Sequence, residues 1–517
     1  MVIPRPRSME RRDGVFVLTQ RTAVRGPDDI TAMVRRELGP ATGFPLATAG
    51  NGEDVIEIGL DRAFGAETYR LSIAPDTISI IAGGAAGAFY AVQTLRQLLP
   101  PAIYRRAPVP GVRWAAPCLE IEDGPRFGWR GAHLDVCRHF MPRPFLFRFM
   151  DLLALHKYNV FHLHMTEDQG WRFESAKYPR LIEVGAWRRE TNGDGTPHGG
   201  FYTRDDLREL VAYAAARFIT IVPEIDMPGH MQAAVAAYPE LGNFPDRRIQ
   251  VATTFGIMED VLNLEPATIR FCKDILAEVM EVFPGRYVHI GGDECPTAQW
   301  RESPMTRQRI GELGIGSVDE AQGWFTHQIA AFLAEHGRQL VGWDEILDHG
   351  DVSGATVMAW RSRDHGIEAV RRGHDVVMAP TVPTYFDYYS SEDPDEPRAL
   401  GNLVTVEQVY GFDPVTSELS GREGSNVLGT QFQVWTEFMP GPREVEYMTF
   451  PRAAALAEAA WSYGERDWSE FQVRLRAHLE RLDALAVNYR PLEGPRPWQR
   501  GGTGARRRPD LARRAPA

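Results

Sequence analysis

The chain has 517 residues, of which 44% are hydrophobic and 24% charged, a composition typical of a globular protein with room for two domains. Its formal net charge of −12 argues against a nucleic-acid partner, because proteins that bind nucleic acids carry a basic domain or stripe. Its four cysteines are scattered without CxxC spacing, which argues against a disulfide framework or a zinc site.

The N-terminal sequence MVIPRPRSMERRDGVF lacks the apolar run of roughly 7–15 residues that follows the basic residues of a secretory signal. Elsewhere in the sequence, no stretch approaches the roughly 20 apolar residues that a membrane span needs. We therefore expect a cytoplasmic protein without a membrane partner, whose cysteines are free thiols.

Residues 1–125 are expected to form a small α+β domain with a structural role. Alternating apolar and polar residues predict its strands, at 14–19, 55–60, 69–74 and 77–82. Apolar residues at helix spacing predict two helices, at 27–38 and 85–99. The proline-containing residues 108–125 are interpreted as the link to the next domain, with a strand-like run at 118–121.

Residues 126–489 alternate between strand and helix patterns. Eight strand candidates occur, at 131–138, 159–165, 220–225, 287–292, 339–343, 356–360, 375–379 and 426–435. Helical stretches separate or follow many of them, at 144–157, 203–217, 266–283, 366–372 and 447–461. This order predicts an α/β fold, a (β/α)8 TIM barrel preceded by the small α+β domain. A doubly wound open sheet would usually have fewer strands and a phosphate-binding glycine loop, which follows none of these strands.

The last segment, residues 490–517, contains eight arginines and two acidic residues. Its proline, glycine and arginine content predicts a disordered basic tail. We expect a solvated extension rather than a contact with an acidic surface.

The stretch YVHIGGDE at 287–294 is the centre of the predicted barrel site. An apolar strand runs into Gly291 and Gly292, which tolerate unusual backbone angles, and then into the adjacent carboxylates Asp293 and Glu294. An acidic pair alone is a weak signal. Its position at the exit of a buried strand strengthens it, because chemistry in parallel α/β folds collects at the carboxyl ends of strands.

Polar or aromatic side chains lie at or after the C-terminal end of each of the eight predicted strands. In chain order they are Arg138, Asp168 with Trp171, His230, Asp293 with Glu294, Trp343, Trp360, Tyr385 with Asp387, and Trp435 with Glu437. Aromatic rings offer flat apolar faces to a pyranose, while arginine and carboxylates bond its hydroxyls. A carboxylic acid can also protonate a glycosidic oxygen so that it leaves. This set of aromatic and charged side chains at the strand ends therefore predicts a site that binds a sugar and acts on its glycosidic bond.

Adjacent carboxylates restrict the mechanism. Retaining glycosidases place the acid and an enzyme nucleophile about 5–5.5 Å apart, and inverting ones place their carboxyl groups about 6.5–9.5 Å apart. Two consecutive residues are badly placed for opposite sides of one sugar bond. They suit a third arrangement, in which one is the acid and the other holds the N–H of a substrate 2-acetamido group, whose carbonyl oxygen attacks the anomeric carbon.

Eight ordered motifs resemble the β-N-acetylhexosaminidases of glycoside hydrolase family 20. They are LDVCRHF (134–140), HLHMTEDQGWR (162–172), PEIDMPGH (223–230), HIGGDE (289–294), GWDEI (342–346), MAWR (358–361), TYFDYY (384–389) and QVWTE (433–437). The resemblance implies an exo-acting, retaining enzyme that removes terminal β-linked N-acetylglucosamine or N-acetylgalactosamine from glycosides or chitooligosaccharides. It implies a carbohydrate partner, and neither a cofactor nor a metal.

The resemblance also implies a role for each site residue. Glu294 would be the general acid/base and Asp293 would orient the acetamido group, with Tyr385 bonding its carbonyl oxygen. Asp168 and His230 would support the acid. The substrate-binding residues would be Arg138, Trp343, Trp360, Asp387, Trp435 and Glu437. To be protonated near neutral pH, Glu294 would need desolvation by the tryptophans and a negative neighbour.

Two other functions are considered beside this one. A catalytically silent sugar-binding barrel would use the same aromatic ring, but binding alone does not require the set Asp293, Glu294 and Tyr385. An endo-chitinase of the other substrate-assisted barrel family would carry a DxxDxDxE strand signature, which does not occur in the sequence.

Overall fold

The computed structural model describes residues 2–48, 54–419 and 421–500. In its N-terminal part, six strands form one mixed sheet in the order Ser8–Val17, Ala115–Asp123, Tyr69–Ile73, Thr77–Ala82, Val55–Leu60 and Ala23–Arg25. Helix Ala85–Leu98 packs on three of these strands, and helix Asp28–Thr42 packs against that helix. The predicted small α+β domain is confirmed, with one additional short strand at Ala23–Arg25.

The interpretation of residues 108–125 as a link is wrong for most of that segment. Ala115–Asp123 lies inside the sheet, antiparallel to Ser8–Val17 on one side and to Tyr69–Ile73 on the other. Its alternation buries Ala116, Cys118 and Ile121. Because successive residues of a strand face opposite sides, Ala116 and Cys118 are buried on one face of the sheet and Ile121 on the other.

The predicted TIM barrel is confirmed. Its eight parallel strands are Trp129–Asp135, Val160–His164, Thr220–Glu224, Tyr287–His289, Gln339–Trp343, Thr356–Ala359, Asp375–Met378 and Val427–Phe432. The last pairs in parallel with the first, which closes the barrel. The fourth strand ends at His289 rather than at the predicted 292, because Gly291 and Gly292 have φ of +64° and +89°, outside the range of a strand.

Helices cover the outside of the barrel. The longer ones are Arg143–Leu155, Arg204–Ala215, Pro266–Val282, Pro304–Glu312, Ala321–Glu335, Arg363–Arg371, Pro442–Thr449, Arg452–Trp461 and Trp468–Ala484. Shorter turns of helix are Arg180–Glu183, Gln232–Ala237, Ala298–Glu302, Thr381–Thr384, Val406–Gly411 and the 3-10 turns Pro101–Tyr104, Pro239–Leu241, Asp344–Leu347 and Glu423–Asn426. The predicted helix at 447–461 is divided at Pro451, which lacks the N–H that a continuous helix needs.

Three short strand pairs lie outside the two sheets. Thr166–Glu167 pairs with Gly170–Trp171, Trp187–Arg188 with His198–Gly199, and Tyr388–Tyr389 with Leu400–Leu403. The first pair belongs to the loop after the second barrel strand, and the third to the loop after the seventh. These pairs give the loops at the carboxyl end of the barrel a fixed shape.

A buried polar joint connects the N-terminal sheet to the barrel. Asp123, in the sheet, accepts hydrogen bonds from Lys157 Nζ at 2.8 Å, Tyr69 at 2.7 Å and the Trp461 indole at 2.9 Å. The side chains of Asp123 and Lys157 are fully buried. Burial lowers the pKa of Lys157, and Asp123 opposes that shift. The two domains therefore share a fully buried ion pair whose charges are both satisfied.

Residues 490–500 of the predicted tail lie within the described part of the chain and pack on the barrel. Arg490 is buried and donates to Glu396 at 2.6 Å, and Gln499 donates to the Tyr489 carbonyl at 2.8 Å. This differs from the predicted disorder because a buried guanidinium with a carboxylate partner fixes the segment. The rest of the tail, 501–517, lies outside the described residues. Within residues 2–48, 54–419 and 421–500, the helices are all too short or too polar to cross a membrane.

Candidate active site

A tight turn after the fourth strand positions the acidic pair. Gly291, Gly292 and Glu294 all have left-handed backbone angles, with φ of +64°, +89° and +46°. The turn brings both carboxylates to the same imidazole, with Asp293 Oδ2 at 3.8 Å and Glu294 Oε2 at 3.6 Å from His230 Nε2. The predicted shared site of Asp293 and Glu294 is therefore present in the structure.

Asp226 stabilises this turn through a hydrogen bond to its backbone. Its Oδ1 accepts the Gly292 N–H at 3.1 Å, and a Cβ added to Gly291 would overlap the same carboxylate. A side chain at position 291 would therefore meet both an unfavourable backbone conformation and the buried carboxyl group of Asp226.

Gly291→Ala is expected to lower the free energy of unfolding by about 2–4 kcal/mol, from left-handed backbone strain and overpacking together, and to displace Asp293. Gly314→Ala is the matched control, since Gly314 has φ of +68° and no atom within 4 Å of an added Cβ. Urea unfolding followed by circular dichroism measures both variants. Equal losses in the two would contradict the proposed overlap with Asp226.

His230 lies beside Asp293 and Glu294 and also contacts two further carboxylates. Its Nδ1 lies 2.9 Å from Glu167 Oε1 and 3.3 Å from Asp168 Oδ2. Burial alone would lower the pKa of His230, but Glu167, Asp168 and Glu294 raise it well above its usual value. The imidazole is thus held in its charged form, with one nitrogen toward the supporting carboxylates and the other toward Asp293 and Glu294.

Glu167 was missed by the sequence analysis, which predicted Asp168 as the partner of His230. The structure brings Asp168 there too, but Glu167 is closer and also pairs with Arg138 Nη2 at 2.6 Å. Burial would raise the pKa of Glu167, whereas Arg138 and His230 lower it to about 2. The adjacent carboxylates of MTEDQG were the available signal, and the strand pair at Thr166–Glu167 decides which one points to His230.

Asp293 is an almost buried carboxylate with a free acceptor. Its side chain is 13% exposed, and Oδ1 is buried without a hydrogen-bond partner among the described residues. Burial raises the pKa of Asp293 to about 6, with smaller contributions from the charges of Glu294 and Glu224 and an opposing one from His230. Such an acceptor suits an amide N–H of a bound molecule.

Glu294 is more open than the sequence analysis expected. Its side chain is 37% exposed, so the tryptophans do not desolvate it. It lines a groove of about 500 Å³ together with Ile257, Gln322, Glu345 and His349. An acid that faces an open groove can reach a group that leaves in that direction.

Four aromatic side chains form one wall, as predicted. Trp343 and Trp435 have ring centroids 5.9 Å apart, and Trp360 stacks on Tyr385 at 6.0 Å and 24°. The Trp343 indole donates to Glu224 at 3.0 Å, and the Trp360 indole donates to Glu345 at 2.7 Å. Burial raises the pKa of Tyr385 well above its usual value, so its hydroxyl remains a hydrogen-bond donor.

Arg138, Asp387 and Glu437 lie at the far end of this wall. The Arg138 guanidinium lies 4.9 Å from the centre of the Trp435 ring. Both oxygens of Asp387 and Oε2 of Glu437 are buried without hydrogen-bond partners among the described residues. Burial raises the pKa of both carboxyl groups. Buried polar atoms usually have partners, so these are suited to the hydroxyl groups of a ligand.

A cluster of histidines forms the floor of the site and was also missed. Glu224 Oε2 contacts His164 Nδ1 at 2.5 Å and His162 Nε2 at 2.9 Å, and its Oε1 contacts His289 Nδ1 at 2.9 Å. The signal was HLH in the second strand, since residues two apart face the same side. Trp171, predicted for the ring, is instead a core residue whose indole donates to the Phe173 carbonyl.

Among the residues that the structure describes, four groups of side chains are close enough to share a metal ion. They are His133, His162 and Glu224; Asp135, Cys137 and His164; Glu167, Asp168 and His230; and Asp226, His230 and Asp293. Metal ligation requires neutral imidazole, which the raised pKa of His230 opposes. In the first group, both oxygens of Glu224 already have partners.

Comparison with known proteins matches both parts of the chain. The model of the glycosyl hydrolase family 20 catalytic domain matches residues 127–463, and that of domain 2 of the same family matches residues 1–124. A β-hexosaminidase of Porphyromonas gingivalis is 42% identical over 455 residues, covering 87% of this chain and 58% of the relative. A β-N-acetylhexosaminidase of Cellulomonas fimi is 34% identical over 506 residues, covering 94% and 95%. The chain thus spans less than two thirds of the first relative and nearly all of the second.

Solved structures agree with this comparison. The family 20 exo β-N-acetylglucosaminidase of Vibrio harveyi, in complex with N-acetylglucosamine, superposes with a TM-score of 0.86 at 33% identity, covering 95% of this chain and 78% of that one. The β-N-acetylhexosaminidase of Streptomyces coelicolor gives 0.84 at 34% identity, covering 96% and 98%. By sequence and by fold, the chain belongs to glycoside hydrolase family 20.

Proposed function

We propose that the protein is an exo-acting β-N-acetylhexosaminidase that removes terminal β-linked N-acetylglucosamine or N-acetylgalactosamine with retention. The observation that carries the proposal is the free, buried Oδ1 of Asp293, next to a second carboxylate that faces a groove. The first can accept the N–H of a 2-acetamido group, and the second can protonate a leaving group. The names of the relatives support the same activity.

The proposed reaction has two steps. Glu294 gives its proton to the glycosidic oxygen while the acetamido carbonyl oxygen forms a bond to the anomeric carbon, and the glycosidic bond breaks. Asp293 accepts the amide N–H and stabilises the positive charge of the oxazolinium-type intermediate, and Tyr385 donates to the carbonyl oxygen. Glu294 then takes a proton from a water molecule while the water oxygen bonds to the anomeric carbon. The bond between that carbon and the acetamido oxygen breaks, and the product has the configuration of the substrate.

The proposed substrate contacts lie along the aromatic wall and at its far end. Trp343, Trp360 and Trp435 would enclose the acetamido group. At the far end, Arg138, Asp387 and Glu437 would bond the outer hydroxyls of one terminal sugar, because Nε of Arg138 and carboxylate oxygens of Asp387 and Glu437 are buried there without partners among the described residues. Glycosides and chitooligosaccharides are the proposed substrates. The cytoplasmic location expected from the N-terminal sequence stays a prediction.

The silent sugar-binding barrel is the second candidate. It is favoured by the aromatic wall alone, which binding would also use. It leaves unexplained why Asp293 is buried with a free acceptor and why His230 is held charged between four carboxylates. Both features cost stability unless a charge develops in the pocket.

Hydrolysis of two aryl β-glycosides separates these functions. One substrate carries a 2-acetamido group, and the other carries a 2-hydroxyl in its place. We expect cleavage of the acetamido substrate alone, with the β-anomer of the sugar as the first product. Comparable cleavage of both would mean that the enzyme supplies the nucleophile, and cleavage of neither would favour the sugar-binding barrel.

The pKa of Asp293, raised to about 6 mainly by burial, predicts an acid-side loss of activity. The proposed role needs the carboxylate, which is lost as the pH falls through about 6. We expect kcat/KM for the acetamido substrate to fall about tenfold per pH unit below that value. A pH series with circular dichroism as a check on folding measures it.

Glu294→Gln provides the control for this pH dependence. With an activated aryl substrate, its acid-side loss should persist, because the group that titrates is Asp293, whose pKa is raised mainly by burial. An unchanged kcat/KM down to about pH 5 in the folded wild-type protein would contradict the need for the Asp293 carboxylate.

A further inference from the structure

A second cavity lies between the N-terminal domain and the barrel, away from the residues of the active site. Its volume is about 250 Å³. Its walls come from helices Asp28–Thr42 and Ala85–Leu98, the turn Pro101–Tyr104, and the barrel helix Arg143–Leu155. Both domains therefore contribute to it.

The walls of this interdomain cavity are strongly basic. Six arginines and two acidic residues line it, namely Arg36, Arg96, Arg105, Arg106, Arg148 and Arg217, with Glu37 and Asp151. The rest of the protein is acidic, since its formal net charge is −12. A concave surface of one charge sign concentrates the field and attracts ions of the opposite sign.

The two acidic residues are already paired. Glu37 accepts from Arg96 at 2.6 Å and lies 3.3 Å from Arg36, and Asp151 accepts from Arg217 at 2.6 Å. Burial alone would raise the pKa of Glu37, but Arg96 and Arg36 lower it. The positive charge of the walls therefore exceeds what these carboxylates neutralise.

Arg105 and Arg106 carry the excess charge. Both are exposed at the cavity, and neither forms an ion pair with another described residue. They directly follow Tyr104, which is 4% exposed and whose hydroxyl has no hydrogen-bond partner among the described residues. The Arg96 guanidinium lies 4.5 Å from the centre of the Tyr104 ring, and its Nε is also buried without a partner in the same part of the structure.

We propose that this cavity binds a small ligand bearing a phosphate or sulfate group. Guanidinium groups bind such oxyanions through paired, charge-assisted hydrogen bonds. A volume of about 250 Å³ lies just below the range of roughly 300–1,000 Å³ typical of drug-sized ligands, so it admits a free oxyanion or its ester with one small sugar. The ligand would contact both domains and would stabilise the protein without touching the active site. This inference does not depend on the proposed function.

Isothermal titration calorimetry tests the site, with sodium phosphate and sodium sulfate as probes and sodium chloride at matched ionic strength as the reference. We expect saturable binding at one site per chain, and a Tm that rises with phosphate or sulfate but not with chloride, because a ligand that binds the folded state stabilises it. The tighter of the two ions identifies the group that the cavity prefers.

The double variant Arg105→Ala/Arg106→Ala should weaken this binding at least tenfold. The matched control is Arg11→Ala/Arg12→Ala, another adjacent pair of exposed arginines, on the strand Ser8–Val17 and outside the cavity. Circular dichroism checks that both variants fold. Absence of saturable binding by the wild type, or equal weakening in the two variants, would overturn the proposal.

Discussion

Replacement of Asp293 by asparagine is expected to lower kcat/KM for the acetamido substrate by about 10²–10³-fold, the usual cost of removing one fixed electrostatic contact to a transition state. The amide has the same size, but it lacks the negative charge, and its NH₂ group can face the substrate N–H as a second donor. The loss should be similar for good and poor leaving groups, because orientation of the nucleophile precedes departure of either.

Steady-state kinetics on a pair of acetamido glycosides, one with an activated aryl group and one with an alkyl group, measures this effect. Asp319→Asn is the control, since Asp319 is an exposed carboxylate whose partner is Arg301 on the surface. If the Asp293→Asn enzyme kept more than about a tenth of wild-type kcat/KM, a stabilising role of this size for Asp293 would be ruled out.

Glu294→Gln should produce the opposite dependence on the leaving group. General acid catalysis typically contributes about 10²–10⁴-fold, and only a poor leaving group needs the proton. We therefore expect a loss of that size for the alkyl glycoside and a much smaller one for the activated aryl glycoside.

A series of aryl glycosides of increasing leaving-group pKa measures the Glu294 effect most directly. The expected result is a steeper dependence of kcat/KM on that pKa in the variant than in the wild type. Glu302→Gln, at an exposed position after the same strand, should leave the dependence unchanged. An equal loss of kcat/KM for every glycoside of the series in Glu294→Gln would contradict the assignment of Glu294 as the acid.

The barrel was predictable from the sequence because its strands are short apolar runs separated by helix patterns. The predictions are wrong where pairing with distant segments or the backbone angles of glycine determine the local structure. Residues 108–125 were interpreted as a link with a strand-like run at 118–121, but the pairing of 115–123 with two other strands is set by chain segments far away in sequence. The fourth strand is shorter than predicted because its two glycines form the turn that places the acidic pair.

The candidate site was predictable only in part. Residues at or shortly after the end of a strand, such as Asp293, Trp343 and Tyr385, were found because the end of a barrel strand has a known place in the fold. Glu167 and Glu224 were not assigned roles, because their importance comes from partners on other strands. The HLH of the second strand places two imidazoles on one face, but the sequence does not show that His289 and Glu224, on two other strands, meet them there.

The ion pair of Lys157 with Asp123 limits how this protein can be divided. The lysine belongs to the barrel and the aspartate to the N-terminal sheet, and both are fully buried. Removing one partner of such a pair typically costs about 3–5 kcal/mol, because the other charge is left without compensation. Removal of the whole N-terminal sheet would instead take both Asp123 and Tyr69 away from Lys157 and expose to solvent the barrel surface that they cover. By the same reasoning, an N-terminal domain exchanged from a relative would have to bring a carboxylate to the position of Asp123.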